Sequence, residues 1–210
     1  MESKHDRSCA RAVARQVRRG RPRFLHAADF DLAGADAERA LRRLVDNGEL
    51  LRICDGLYWR GRVTLLGISY PAEDTLIDEL VGGRTYGWAG VSAASRLGLS
   101  AQVPKRTQIA VDGDTAHASA TLAFIDRSER TGRTTAGLTP TEVAFLEVLD
   151  GYDDLVDQPA IGRDRLINLL ACGVVRSDAL HRASPSEPAH VTDRLRALLA
   201  AARPTRTPTA

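Results

Sequence analysis

Residues 40–59, ALRRLVDNGELLRICDGLYW, constrain this chain more than any other stretch, because a helical periodicity gives way to strand alternation across two glycine-bearing stops. Ala37, Ala40, Leu41, Leu44 and Val45 recur along one helical face, with Asp36 as the expected N-cap and Asn47-Gly48 as the stop. Leu51 and Ile53, then Leu57 and Trp59, form two short runs on either side of Asp55-Gly56. That dipeptide is a strong hairpin signal, since the favoured two-residue turn needs positive φ at both central positions. Upstream, Ala10, Val13, Ala14 and Val17 define a helix over 8–19, stopped by Gly20 and Pro22. FLHAADFDLAG then predicts a short second helix from His26 to Leu32, closed by Gly34 as a left-handed C-cap. Three helices followed by a two-stranded wing predict a winged helix-turn-helix over residues 1–62.

Charge sorts the same way. Residues 1–62 hold 14 Lys and Arg against 9 Asp and Glu, whereas residues 63–210 hold 15 against 18, so a net charge of +2 conceals a basic module joined to a mildly acidic remainder. A polyanion is the natural partner of the basic part. Arg39, Arg42 and Arg43 lie on the outer face of the third helix, where guanidinium groups can read guanine edges or hold phosphates. Arg52, Arg60 and Arg62, on or beside the wing, are placed for phosphate or minor-groove contact. These six arginines are the candidate DNA-binding residues. The arginines of the first helix (Arg11, Arg15, Arg18 and Arg19) fall on its other faces and are assigned no role.

Residues 63–202 predict a second, mixed α+β domain, making the whole chain α+β. PAEDTLIDELV supplies an amphipathic helix from Pro71 to Val81, and VSAASRLGL a small-residue helix ended by Gly98. TQIAVDG and ATLAFID read as two strands around a hairpin turn at Asp112–Asp114. Thr139-Pro140-Thr141-Glu142 is a capping box with proline at the first helical position. Helices over about 161–171 and 189–202 complete the domain, and the Pro- and Thr-rich residues 203–210 are expected to be disordered.

Enzyme signatures are weak. Asp112 and Asp114 straddle a glycine at a strand end, a spacing used in metal-dependent nucleotidyl transfer, but no Gly-Ser pair stands upstream and Asp-Gly is an ordinary turn. Neither a phosphate loop, a dinucleotide fingerprint nor a nucleophile elbow is present. Cys9, Cys54 and Cys172 form no pair, and the five scattered histidines lack metal-site spacing, so no metal and no cofactor are expected. No apolar run approaches a membrane span, and the charged N-terminus lacks an apolar core, so a soluble protein of the reducing cytoplasm is expected.

The 40–59 run resembles the winged-helix segment of AbiEi-type antitoxins, the antitoxin half of type IV toxin–antitoxin systems linked to abortive phage infection. Arg43-Leu44, Gly48 and Gly56-Leu57-Tyr58 fill the places of that family's recognition helix end, turn and hairpin close. A second stretch, YGWAGVSAASRLGLSAQVPKRTQIAV, is similar to the segment joining the two domains' cores in the same family, with Gly98-Leu99 and Gln102-Val103-Pro104 before a strand. The resemblance implies that the N-terminal domain binds inverted repeats at its own promoter. It also implies that the C-terminal domain neutralises a cognate nucleotidyltransferase toxin, and that the protein is not an enzyme. Two other readings stand beside it: a winged-helix repressor whose C-terminal domain senses a ligand or dimerises, and an enzyme using Asp112 and Asp114 with a metal.

Overall fold

Two sets of apolar side chains gather into two separate cores, and the chain divides into the units Met1–Leu80 and Val81–Ala210. The architecture is mixed α+β. The computed structural model describes residues 4–114 and 121–202, residues 4–9 by their backbone alone, so the tail expected to be disordered lies outside the described residues. The division falls between Leu80 and Val81 rather than at residue 62, because packing groups the segment after the wing with the first unit, whatever its charge.

In the first unit, α1 (Lys4–Arg18) lays Val13 and Val17 against α2 (Gly34–Asp46), whose Ala37, Ala40, Leu41 and Leu44 are buried. Between them, the expected helix from His26 to Leu32 is replaced by strand β1 (Arg23–His26) and a single tight helical turn over Ala27–Asp29. His26 pairs with Leu57 across the sheet, next to the fully buried Leu25 opposite Tyr58, and that pairing takes the start of the expected helix into a strand. Gly34 is no C-cap: it opens α2, with Ala33 as N-cap, while Asp36 sits in the first turn, where its charge meets the positive end of the helix dipole. Gly48, at φ 71°, lets the chain leave α2 so that Glu49 and Leu50 both return hydrogen bonds to the Leu44 carbonyl.

The wing forms where expected. β2 (Leu51–Cys54) and β3 (Leu57–Arg60) flank Asp55-Gly56, and the sheet runs β1-β3-β2, all antiparallel. Gly56 takes a positive φ and Asp55 does not, and the ladder shifts register between Arg52 and Cys54. A bulge, rather than a second left-handed residue, therefore reconciles the turn with the strand twist. A second hairpin, β4 (Val63–Thr64) with β5 (Gly67–Ile68), and helix α3 (Glu73–Val81) follow.

The second unit holds β6 (Tyr86–Trp88), α4 (Gly90–Arg96), β7 (Thr107–Val111) and β8 (Leu122–Asp126). It continues through α5 (Gly132–Thr135), α6 (Pro140–Asp150), α7 (Tyr152–Leu155), α8 (Pro159–Ala171), α9 (Ser177–Ala183) and α10 (Ala189–Ala202). The sheet order is β6-β7-β8, and here the sequence expectation fails: β7 and β8 run parallel, with Thr107 opposite Leu122 and Val111 opposite Asp126. Asp112–Asp114 is therefore not a hairpin turn. The chain leaves the sheet after Val111 and re-enters beside Thr107, which a tight reversal cannot do. The Thr139 capping box and Pro140 start α6 as expected. Every residue of α6 from Glu142 to Leu149 is buried, so it is the core helix of the unit. Gly87 shows how tightly β6 meets it, because a Cβ there would stand 2.5 Å from both the Pro140 carbonyl and the Val143 Cβ.

Candidate nucleic-acid interface

The exposed side of α2 carries Arg39 and Arg42 in solvent and Arg43 half-buried on its flank. Arg39 approaches Asp36 at 3.3 Å. Arg42 approaches Glu38 at 3.3 Å, and Glu38 in turn accepts a 2.6 Å hydrogen bond from the Tyr58 hydroxyl. The Tyr58 ring is fully buried among the core side chains of the first unit. A core residue thus orients a carboxylate, and an exposed guanidinium rests against it. The Tyr58 hydroxyl and the Glu38 charge raise the Arg42 pKa, while burial, and then the Glu38 bond, push the Tyr58 phenol up.

The wing arginines are arranged differently. Arg52 is exposed and pairs with Asp55 at the hairpin turn. Arg60 donates to the Arg18 carbonyl at 2.8 Å and to the Gly20 carbonyl, closing the end of α1 with its own guanidinium. Arg60 thus faces the protein backbone, which no local sequence signal reveals. Arg62 is exposed, its main-chain N–H donating to the Ser69 hydroxyl at 3.0 Å.

A groove of about 440 Å³ runs between α1 and the C-terminal half of α2, with Arg11, Arg15, Arg18, Arg19 and Arg43 around an apolar floor that includes Ala14, Ala40 and Leu44. Sequence reading passed over the arginines of α1. Their signal was the four-residue step from Arg11 to Arg15 to Arg19, which holds one helical flank.

In the second unit, Asp112 accepts from the Thr134 hydroxyl at 2.7 Å, and the Asp114 carbonyl accepts from Arg84 at 2.8 Å. Among the described residues, no group of three or more His, Cys, Asp or Glu is placed to hold a metal ion. No helix is long and apolar enough to cross a membrane, among the same residues.

Carboxylates there are held by arginines instead. Glu142 accepts from the Arg176 side chain at 2.6 and 2.7 Å, from the Arg176 backbone at 2.9 Å and from the Thr139 backbone at 2.8 Å. Burial alone would push its carboxyl up, but these bonds outweigh burial and hold its pKa down to about 2. A folded pKa below the unfolded value of about 4.3 means that its contribution is complete above that value and is lost as pH falls. We expect the stability gap between the native chain and Glu142→Gln to narrow from about pH 4.5 down to 2, read as urea midpoints across that range. A gap independent of pH would show that the carboxylate charge contributes nothing.

The chain belongs to a family of unknown function (DUF6088), whose model matches residues 12–122, from α1 to the first residue of β8. No curated protein matches it. Among solved structures it is similar to the crystal structure of the RV2827C protein from Mycobacterium tuberculosis, at 16% identity over 95% of this chain and 82% of that one, with a TM-score of 0.47.

Proposed function

We propose that the first unit is a winged helix-turn-helix that binds duplex DNA, with α2 in the major groove and the β2–β3 hairpin as the wing. The order α1, β1, tight helical turn, α2, β2, β3, with β1 closing the sheet against β3, supports this reading. The observation that carries it is the Tyr58–Glu38–Arg42 chain, in which a core hydroxyl orients a carboxylate beside a guanidinium on the exposed face of α2, the kind of support that preorganises a recognition side chain. Arg39 and Arg43 share that helix, while Arg52 and Arg62 suit the backbone.

On the sequence resemblance, we propose further that the protein is a non-catalytic antitoxin acting in the cytoplasm. It represses its own operon through promoter repeats, and its second unit neutralises a nucleotidyltransferase toxin. One experiment tests both halves: a promoter reporter and growth under toxin induction, each with native chain and with Arg39→Ala/Arg42→Ala. Each alanine should weaken binding to the promoter duplex by about 1–3 kcal/mol and lower preference over random duplex. The reporter should be derepressed and growth rescue retained. Unchanged repression would overturn the DNA-reading face, and absence of rescue by the native chain would overturn the antitoxin reading.

A further inference from the structure

Among the described residues, the groove between α1 and α2 has one negative side chain on its rim, Glu49, and its charge is already matched. Arg18 grips both Glu49 oxygens at 2.7 and 2.8 Å, which holds the carboxyl below the usual carboxylate range. A second negative feature nearby is the carbonyl end of α1, where a helix dipole repels anions. Arg60 answers that end by donating to the Arg18 and Gly20 carbonyls. With both neutralised, Arg11, Arg15 and Arg19 leave the groove wall cationic along its length.

Their spacing selects the kind of anion. Four residues of helix rise about 6 Å, so Arg11 and Arg15 stand one turn apart, and Arg19 continues the row just past the helix end. A row of separated guanidinium groups along an open wall does not converge on one small anion. It fits a string of charges, and a DNA strand presents one phosphate per about 3.4 Å of axis. Arg43 ties the row to the reading helix, since it lines the groove and also lies beside Arg39 and Arg42 on α2.

We propose that the α1–α2 groove is a phosphate-backbone track, in which Arg11, Arg15 and Arg19 hold one DNA strand beside the major groove that α2 enters. This rests on the DNA-binding reading and adds to it three residues on α1 and at its end. Arg18 and Arg60 become positioning residues: they remove the negative groups from the track.

The test uses the full chain and two labelled duplexes, the promoter fragment and a random sequence of the same length, titrated by fluorescence anisotropy at several salt concentrations. Arg11→Ala/Arg15→Ala/Arg19→Ala should lower the slope of log affinity against log salt by roughly 2 to 3, at about 0.9 for each phosphate no longer neutralised. The fall in affinity should be equal on both duplexes, so preference for the promoter is unchanged. The corresponding triple lysine variant should restore most of the slope, and both variants should keep the native thermal midpoint. A native slope in the alanine variant, with Arg42→Ala still impairing promoter binding, overturns the track and leaves the reading helix standing. An alanine variant that keeps DNA binding but loses affinity for polyglutamate makes the groove an acidic-peptide site and also overturns the track. A native chain with no salt-dependent DNA binding overturns the track and the DNA-binding reading together.

Discussion

Arg133→Met is expected to destabilise the second unit by about 3–5 kcal/mol, the usual cost of removing one partner from a buried ion pair. Arg133 is 3% exposed and makes three short bonds: Nε to Glu187 at 2.6 Å, Nη2 to Glu187 at 2.9 Å and Nη1 to Glu147 at 2.7 Å. Glu147 and Glu187 are themselves buried, and Arg127, Arg130, Asp150 and His190 extend the cluster. Burial alone would push the Glu147 carboxyl up, but Arg127 and Arg133 bring it below the usual carboxylate range. Methionine fills much of the arginine volume without its charge, so Glu147, Glu187 and Asp150 are left to share Arg127 and Arg130, one positive charge short in a medium that solvates carboxylates poorly. Against a whole-domain stability of about 5–15 kcal/mol, such a loss lowers the urea midpoint far enough to be read directly. Adding Glu187→Leu should recover part of it, since an apolar pair of similar volume replaces a buried ion pair at little cost. A loss below about 1 kcal/mol, the range of surface pairs, would show that water screens this cluster.

Tyr58→Ala is expected to be as costly in the first unit and to abolish the DNA binding proposed for it. Tyr58 is the largest fully buried side chain among the described residues, and truncating a buried aromatic typically costs about 3–5 kcal/mol. Its partners Leu25 on β1 and Arg52 on β2 flank it across the sheet, so the cavity opens at the centre of the three strands. Tyr58→Phe separates packing from orientation. It keeps the ring and removes the hydroxyl that Glu38 accepts, with a stability loss of about 1 kcal/mol. With Glu38 released, Arg42 loses its anchor, and the preference of promoter over random duplex should fall while overall fold and salt dependence stay native. Thermal melts and anisotropy on both duplexes measure the two effects. Native discrimination by Tyr58→Phe would show that Arg42 needs no such anchor.

What this sequence determined by itself was set by neighbours along the chain. The α2 face, the stop at Gly48, the Asp55-Gly56 hairpin and the Thr139 capping box each depend on residues within one or two turns, so their periodicity and turn chemistry are written locally. The basic character of residues 1–62 is likewise additive and needs no fold to be read. The tertiary structure alone decided the rest, because it depends on which distant groups meet. Phe24-Leu25 became strand through pairing with Tyr58 and Trp59, more than thirty positions away. β8 runs parallel to β7 because its partner edge lies beside Thr107, and the Asp-Gly signal at 112–113 cannot encode where the chain returns. Arg60, read as a DNA contact, closes α1 at carbonyls about forty residues earlier, while Arg11, Arg15 and Arg19 line a groove that exists only when α1 packs on α2. A guanidinium is cationic wherever it stands. Whether it faces a carbonyl, a carboxylate or solvent is a matter of long-range packing, and that packing assigns its role.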